Sequence, residues 1–260
     1  MEYEFVKVEK KNHISIVTIN RPEVYNAVHP PLSLELDQVW NDFIEDRDQW
    51  VAVLTGAGDK AFSAGNDLKY SAQPGKYKVQ QPKSGFAGLT NRFDRTKPII
   101  AAVNGFAMGG GMETALSCDI IMASENAKFA LPEVKVGFFA AAGGVQRLSR
   151  QIGKKAALEM ILTGRSVDAL EAQKLGIINE VFSQAELLDK AIQKAEVIAG
   201  NCPSSVKYSL EALNHMDQLE EMASALEKSY ELIDLLRKTE DHKEGVSAFV
   251  EKRAPQWKNR

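Results

Sequence analysis

A recurring order of two short strands and one helix is the feature that most restricts how this chain can fold. Val51 to Leu54 and Ile99 to Val103 are unbroken apolar runs, typical of strands buried on both faces of a sheet. Strand-like pairs followed by helix-like segments continue to about residue 150, without a repeated sequence beneath them. Because such alternation builds layers of sheet and helix, the order predicts an α/β fold.

The chain becomes helical in its second half. Ala185 to Ala199 carries apolar side chains at helical spacing, and Pro203 to Val250 also has a helical pattern. The segment Gly200-Asn201-Cys202-Pro203 between them is a natural boundary. We therefore expect a mixed body over residues 1–200, which carries the functional site, and a helical region over residues 201–260.

Composition and charge favour a soluble globular protein. Hydrophobic residues make up 44% and charged residues 26% of the 260 residues, which are ordinary proportions. A net charge of -3 and a sequence pI of about 5.9 predict no general attraction to nucleic acid or anionic membranes. Met1 to Lys11 lacks the apolar core of a secretory signal, and no apolar run reaches the roughly 18 residues of a membrane span.

The cysteines and histidines form no recognisable metal site or disulfide framework. Cys118 and Cys202 lie in unrelated contexts, and the four histidines share no motif. His13 falls in a turn between two expected strands, where we expect a solvated side chain. This cysteine usage fits a reducing compartment, so we expect a cytoplasmic protein.

One glycine-rich segment imitates a dinucleotide-binding motif. Gly56 to Ala61 follows a buried strand and fits the spacing of that fingerprint. The motif requires a helix to begin immediately afterwards, because the helix N-terminus holds the pyrophosphate. Phe62-Ser63-Ala64-Gly65 follows instead. The dinucleotide interpretation is therefore disfavoured.

A second glycine-rich segment has the character of an oxyanion site. Asn104 to Glu113 runs from a buried strand to an expected helix and contains Gly109-Gly110-Gly111. Glycines allow close approach to the backbone, and a helix start offers unpaired N–H groups. Glu113 falls in the first helical turn, where the helix dipole favours its ionised form, as a general base requires. The alternative is a sterically packed turn with a helix-start carboxylate.

Glu133 is the second candidate carboxylate. Its neighbours in sequence are apolar: Phe129, Leu131, Val134, Val136, Phe138 and Phe139. If these side chains remove water from Glu133, its pKa rises and it can act as an acid near neutral pH. The alternative is an exposed glutamate after a proline.

Taken together, these segments resemble the enoyl-CoA hydratase/isomerase (crotonase) family over nearly the whole chain. The matching motifs occur in the family's order: Asn20-Arg21-Pro22 with Asn26-Ala27, Thr55 to Gly58, Ala61 to Leu68, Ala102 to Gly105 with the glycine run and Glu113, Cys118-Asp119, Phe129 with Pro132-Glu133, Gly143-Gly144, Gln146 to Leu148, and Phe249 to Arg253. Gly88 to Thr90, Phe129 to Glu133 and the closing basic segment are most similar to the carnitinyl-CoA dehydratases of this family.

The resemblance implies a fold and a chemistry. The family fold is a spiral of ββα units with C-terminal helices that pack into trimers, often paired as hexamers. Its chemistry stabilises a thioester enolate with two backbone N–H groups, which match Asn66 and Gly110 here. In its hydratases, residues at the positions of Glu113 and Glu133 respectively take a proton from water and protonate Cα.

The resemblance also assigns contacts with coenzyme A. Ala64 matches the residue whose carbonyl meets the adenine, and Arg21, Val24 and Ala27 match the stretch beside the phosphates and pantetheine. Phe249 and Lys252 match residues that reach a neighbouring subunit's coenzyme A. The expected set of substrate contacts also includes Asp67, Leu68, Gly109, Pro132 and Phe138. No metal or redox cofactor is implied, since the substrate itself carries coenzyme A.

One departure from the family leaves the substrate open. The family commonly has a proline where this chain has Ala140, and Phe138-Phe139 precede it. We expect these residues near the acyl pocket, where the aromatics narrow it or stack on an unsaturated acyl group, unless they simply pack in the core. Hydration of a 2-trans-enoyl-CoA is the leading hypothesis.

Three alternatives accompany it. Carnitinyl-CoA dehydration and double-bond isomerisation use the same scaffold; a quaternary ammonium group favours aromatic neighbours such as Phe138, Phe139 or the loop from Tyr70 to Tyr77. RNA binding is the third, because basic residues cluster at Lys252-Arg253 and Lys258 to Arg260. A solvated tail is the usual explanation for such a run.

Overall fold

Two β-sheets organise the mixed part of the chain. The computed structural model describes residues 3–73, 81–93, 95–216, 231, 235, 238–251 and 253–260. The strands are β1 (Val6–Lys11), β2 (Ile14–Ile19), β3 (Val51–Gly56), β4 (Ala61–Ser63), β5 (Ile99–Val103), β6 (Phe106–Met108), β7 (Ile120–Ser124), β8 (Lys128–Ala130), β9 (Ser166–Asp168) and β10 (Glu180–Phe182). The larger sheet has the order β1-β2-β3-β5-β7-β10, and the smaller one has the order β4-β6-β8-β9.

Helices connect and cover these strands. They are α1 (Pro30–Glu45), α2 (Leu68–Ser71), α3 (Gly110–Leu116), α4 (Gly144–Ile152), α5 (Lys154–Thr163), α6 (Ala169–Leu175), α7 (Leu187–Ala199), α8 (Pro203–Met216) and α9 (Glu240–Glu251). Single 3-10 turns form at Pro22–Val24, Phe86–Gly88 and Pro132–Val136. In the described ranges, no helix is both long enough and apolar enough to cross a bilayer.

The predicted rhythm is present as successive units of two strands and a helix. In β3-β4-α2 and β5-β6-α3, the first strand joins the larger sheet and the second joins the smaller sheet. The strands β4, β6 and β8 pair in parallel, so their carboxyl ends meet at one edge of the smaller sheet. Such an edge is where ligands bind in many parallel sheets. The α/β prediction is confirmed.

A core of aliphatic and aromatic side chains holds helix α1 in place beside this edge of the smaller sheet. In α1, Leu32, Leu36, Val39 and Trp40 face inward at helical spacing, and all four are buried. The Trp40 indole Nε1 donates to the carbonyl oxygen of Ala87 at 3.1 Å, which ties α1 to the turn at residues 86–88. Removing a buried aromatic side chain of this size typically costs about 3–5 kcal/mol.

The chain differs from the sequence predictions where elements are short. β4, β6 and β9 have three residues each, too few to show alternation, and none was anticipated.

His13 was expected to be solvated, but its ring stacks on Trp50 with centroids 3.6 Å apart and hydrogen-bonds the carbonyl of Asp48. The parallel pairing of β2 with β3, in which Ile14 lies opposite Val51, brings these rings together, which the sequence order alone did not reveal.

The C-terminal helices pack on the mixed body. The hydroxyl of Ser204 in α8 donates to the buried carboxylate of Asp241 in α9 at 3.2 Å. Trp257 Nε1 donates to the carbonyl of Gly200 at 2.9 Å, and Asn214 Nδ2 donates to that of Arg95 at 3.4 Å. A division at residue 200 stays a prediction.

Candidate active site

The turns that follow β4 and β6 lie in direct contact. Gly65 has φ +83°, and a methyl group built on it would lie 2.8 Å from the amide nitrogen of Gly110 and 2.5 Å from the carbonyl oxygen of Met108. A side chain at position 65 would therefore separate the two turns. Glycine is needed both for the positive φ and for the close approach.

Two backbone N–H groups flank this contact. Asn66 forms a parallel bridge with Val28, in which Val28 N–H donates to Gly65 and Asp67 N–H donates to Val28. The N–H of Asn66 consequently points away from Val28, because successive strand amides alternate in direction. Gly110 begins α3, so its N–H has no acceptor within that helix.

Glu113 lies one turn into α3 and is almost fully buried, at 4% exposure. Its Oε1 accepts a hydrogen bond from the N–H of Gly144 at 2.9 Å. Burial raises the pKa of Glu113 to about 7, although the Gly144 and Ala142 amides and the Arg147 charge favour the ionised form. The position of Glu113 in the first helical turn predicted that the helix dipole favours its ionised form. Burial outweighs the dipole here, because a dipole contributes about 0.3–1 kcal/mol, less than the cost of burying the charge.

Glu133 lies on the 3-10 turn after β8, facing the glycine run. A methyl group built on Gly109, which has φ +53°, would lie 2.9 Å from Glu133 Oε1. The other oxygen, Oε2, is buried and has no hydrogen-bond partner among the described residues. Burial raises the pKa of this carboxyl above its ordinary value. The predicted direction of the pKa shift is correct.

The apolar cluster expected around Glu133 forms only in part. Phe129 and Leu131 are buried, but four neighbours are exposed: Val134, Val136, Phe138 and Phe139. The 3-10 turn ends at Gly137, where φ +79° redirects the chain. Water is excluded from Glu133 largely by contacts such as that with the Gly109 backbone, which is distant in sequence.

The two carboxylates are close enough to interact. The negative charge of Glu133 is among the causes that raise the pKa of Glu113. Gly109 touches Glu133 while Gly110 begins the helix that carries Glu113. The site therefore combines two carboxyl groups that protonate readily with two backbone donors at a sheet edge. This arrangement suits proton transfer beside a developing oxyanion.

Residues expected to contact coenzyme A surround the first turn. Arg21 Nη1 donates to the carbonyl of Ala27 at 2.5 Å and pairs with Asp67 Oδ2 at 3.1 Å. Ala64 and Leu68 are exposed at the same edge, and Val24 is half-buried. These positions lie together. The guanidinium of Arg21 is engaged within its own loop, so it braces the loop as well as carrying positive charge there.

Other expected contacts lie apart from this edge or outside the described structure. Pro132 directly precedes Glu133 on its turn. Phe138 and Phe139 are 55% and 65% exposed, so packing in the core of the chain is wrong for both. Phe249 belongs to α9. Lys252 lies outside the described residues, and the same holds for Tyr77 at the end of the expected aromatic loop.

Three supporting residues were not identified as site residues from the sequence. Asn26, with φ +54°, accepts from the N–H of Arg21 and donates to the carbonyls of Ala57 and Ala61. Its place in the Asn26-Ala27 motif was the available signal. The Phe86 ring packs on Gly110, where a methyl group would approach it to 2.6 Å. Nothing in the local sequence indicated that contact.

Arg147 is the third such residue, and it braces the loop beside Glu113. Its guanidinium donates to the carbonyls of Thr90 at 2.6 Å and Ala142 at 3.3 Å. Ala140, at the family's proline position, is buried, and its methyl lies against Gly144, which in turn contacts Glu113. The Gln146 to Leu148 motif was the signal for Arg147. In the described part of the chain, no group of three or more His, Cys, Asp or Glu side chains could hold a metal ion.

Comparison with known proteins agrees with this geometry. The model of the enoyl-CoA hydratase/isomerase family matches residues 9–260. The chain is 40% identical over 253 residues to the (E)-benzylidenesuccinyl-CoA hydratase of Thauera aromatica, covering 97% of this chain and 98% of that protein. It is 40% identical to the carnitinyl-CoA dehydratase of Escherichia coli, covering 99% of each chain. The crystal structure of an enoyl-CoA hydratase from Mycobacterium tuberculosis superimposes with a TM-score of 0.91 at 35% identity, covering 98% of this chain and 99% of that one.

Proposed function

The chain belongs to the enoyl-CoA hydratase/isomerase family, and we propose that it is a hydro-lyase that reversibly adds water to a 2-trans-enoyl-CoA to give the 3-hydroxyacyl-CoA. The observation that carries this proposal is the pair of interacting carboxyl groups, Glu113 and Glu133, on either side of the Gly109-Gly110 backbone. Adding water across a double bond requires one group to accept a proton and another to donate one.

Glu113 is the proposed base. The Gly144 N–H holds its Oε1, which fixes the direction in which the carboxylate can accept a proton from water. Because the pKa of Glu113 is about 7, both its ionised and protonated forms are accessible near neutral pH. As water adds to Cβ, its proton passes to Glu113.

Glu133 is the proposed acid. Burial raises its pKa, which favours the protonated form needed for donation to Cα. Its Oε2 has no partner within the described chain, so that oxygen is available to a substrate atom. The same residue removes the Cα proton in the dehydration direction. Each hydration leaves the proton from water on Glu113 and removes one from Glu133, so a proton passes from Glu113 to Glu133 through solvent before the next turnover.

Asn66 and Gly110 are the proposed oxyanion donors. Addition to Cβ makes a thioester enolate, whose oxygen needs donors that are already in place. The contact of Gly65 with the Gly110 amide brings the two turns that carry these donors together. Loss of one such donor typically lowers the rate by about 100- to 1000-fold.

The remaining assignments follow from the family. We propose that Arg21, Val24, Ala27, Ala64, Asp67 and Leu68 bind coenzyme A along the first turn, with Gly109, Pro132 and Phe138 nearer the acyl group. Phe249 and Lys252 are proposed to reach a neighbouring subunit's coenzyme A in a homotrimer or hexamer in the cytoplasm. The proposed reaction uses no cofactor beyond the coenzyme A of the substrate.

Dehydration of carnitinyl-CoA, or isomerisation of an enoyl-CoA, is the alternative on the same scaffold. The relative from Escherichia coli named a carnitinyl-CoA dehydratase supports the former as directly as the hydratases support hydration. RNA binding has less support, because Arg253 pairs with Glu244 at 2.6 Å and Lys258 with Glu240 at 3.4 Å.

The proposed hydratase activity is tested by mixing the protein with crotonyl-CoA and following the loss of the enoyl absorbance as water adds to the double bond. Wild type should hydrate crotonyl-CoA or a longer enoyl-CoA, and Glu113→Gln and Glu133→Gln should each lower kcat by about 100-fold or more. Glu125→Gln, on an exposed turn, is the control. Turnover of carnitinyl-CoA alone would favour the alternative, and turnover of none of these thioesters would contradict a hydro-lyase.

A further inference from the structure

A cavity of about 630 Å³ opens behind the proposed catalytic base. Its wall includes Leu116 and Ser117 at the end of α3, and Ser117 lies one helical turn, about 6 Å along the axis, beyond Glu113. Gly143, which precedes the amide that binds Glu113, also lines it. The volume falls within the range of small-molecule sites, roughly 300–1,000 Å³. The cavity is thus adjacent to the proposed chemistry.

Four arginines line this cavity: Arg92, Arg95, Arg147 and Arg150. Two of them are neutralised by carboxylates. Arg92 pairs with Asp37 at 2.6 Å, and Arg95 pairs with Asp119 at 2.8 Å. The other two, Arg147 and Arg150, form no ion pair with a carboxylate in the described part of the chain.

The positive charges of Arg147 and Arg150 lie close together and repel one another. They are three residues apart on α4 and therefore lie on the same face, where like charges repel. Arg147 donates to the carbonyls of Thr90 and Ala142. Arg150 is exposed and has no hydrogen bond to any residue that the structure describes. Burial lowers the pKa of Arg147, the charges of Arg95 and Arg150 add to this effect, and the charge of Glu113 opposes it.

We propose that the substrate's acyl group carries a second carboxylate at its far end, and that Arg150, with Arg147 beside it, binds this carboxylate in the cavity. This inference rests on the proposed hydro-lyase function and names its substrate class, a dicarboxylic enoyl-CoA monothioester. An arginine fork matches a carboxylate in charge and geometry, and the ligand relieves the repulsion between two neighbouring guanidiniums.

The same charges disfavour a cationic acyl group. The trimethylammonium end of carnitinyl-CoA would meet guanidiniums in this cavity, and the aromatic side chains Phe138, Phe139 and Tyr70 do not line it. Phe138 and Phe139 are exposed, and the Tyr70 ring packs edge-on against His29 with centroids 5.0 Å apart. The charge of the cavity therefore favours a dicarboxylic acyl-CoA over carnitinyl-CoA as the substrate, a choice that the family match does not make.

Matched substrate pairs test the inference. Glutaconyl-CoA and longer 2-enedioyl-CoA esters are compared with the monocarboxylic enoyl-CoA of the same carbon number, such as 2-pentenoyl-CoA. Wild type should prefer the dicarboxylic member of at least one pair in kcat/KM. Arg150→Gln should lower that preference by about 10- to 100-fold, the usual effect of a charged hydrogen bond, and Arg150→Lys should retain part of it.

Lys154→Gln is the matched control, because Lys154 is an exposed cation at the start of the next helix and does not line the cavity. It should leave the preference unchanged. Preference for the monocarboxylic member at every length, with no response to Arg150→Gln, would overturn the inference while leaving hydratase activity intact. Absence of turnover with both members would instead contradict the proposed function.

A free carboxylate is a second possible source of the same chemistry. In that case glutarate would change the rate of 2-pentenoyl-CoA hydration by wild type but not by Arg150→Gln, and the two substrate classes would be turned over equally. That result would overturn the assignment to the acyl group.

Discussion

The two proposed catalytic carboxylates occupy surroundings of opposite character. Glu113 is carried by a buried helix, and its Oε1 accepts from the amide of Gly144. Glu133 is carried by a 3-10 turn with no buried residues, and its Oε2 has no described partner. Burial raises the pKa of both groups, but only Glu113 is also held by the chain itself.

This difference separates what is fixed from what can vary. The Glu113 segment is enclosed, so its position is determined by packing before any substrate binds. The Glu133 segment continues into Gly137 to Phe139, which are exposed and directly precede Ala140, the residue at the family's proline position. The carboxylate shared with the family, Glu113, is thus held in the interior of the protein, while the exposed segment after Glu133 can change in sequence with the substrate.

Shortening each carboxylate should produce the largest contrast. Glu113→Asp retracts the carboxyl group by about 1.5 Å from the Gly144 amide. The enclosed helix cannot move to compensate, so kcat should fall about 100-fold or more. Glu133→Asp, on the exposed turn, should lose about 10-fold. Crotonyl-CoA hydration measures both. Equal losses would show that the two segments are equally rigid.

Alanine at Gly109 should disturb the Glu133 side of the site. The new methyl would lie 2.9 Å from Glu133 Oε1 and would also force an alanine to φ +53°. We expect a loss in kcat of about 10- to 100-fold, since misplacing a reacting group by an ångström can cost that much.

Gly137→Ala is its matched control. Gly137 also has positive φ, +79°, but a methyl there meets nothing within 4 Å. Gly137→Ala should lose about 1 kcal/mol of stability, because Gly137 is in the left-handed helical region. Gly109→Ala should lose more, because φ +53° with ψ -123° lies outside that region, and only Gly109→Ala should lose activity. Similar activity in the two variants would mean that Gly109 does not position Glu133.

The pH dependence of stability should distinguish Glu113 from ordinary carboxylates. Burial raises its pKa from 4.5 to about 7, so the folded chain binds this proton more tightly than the unfolded chain does. Stability is therefore greatest below about pH 4.5 with respect to this group, and it falls as the pH rises through about 7. The full difference is about 3 kcal/mol at pH 8.

Glu113→Gln removes the ionisable group and keeps its shape. This variant should be more stable than wild type at about pH 8, by up to about 3 kcal/mol, and the difference should shrink towards about pH 4. Urea unfolding across this range measures it. A pH-independent difference for Glu113→Gln would contradict the raised pKa of Glu113.

Replacing an exposed aromatic should have the smallest effect on the fold. The Phe139 side chain is 65% exposed, so Phe139→Ser should change the free energy of unfolding of the monomeric chain by about 0.5 kcal/mol or less. Phe129→Ala, in the core, should cost about 3–5 kcal/mol. A large loss for Phe139→Ser would place it in a contact that the single chain does not contain.

The sequence by itself determined the fold class, the family and the positions of its motifs. Unbroken apolar runs such as Val51 to Leu54 and Ile99 to Val103 became central strands, because a strand buried on both faces has an uninterrupted apolar sequence. Asp168 accepts from the N–H of Glu171 at a helix start, a local contact within four residues. The two glutamates and the glycine run were also recognisable by motif.

Only the tertiary structure decided how those residues meet. The contacts of Gly65 with Gly110, of Gly109 with Glu133 and of Gly144 with Glu113 each join segments far apart in sequence. They decide that burial outweighs the helix dipole at Glu113. The fold also exposes Phe138 and Phe139, which excludes core packing for both. Only the structure shows that Arg147 and Arg150 line one cavity without a carboxylate ion pair among the described residues, since charge balance depends on distances that a sequence does not specify.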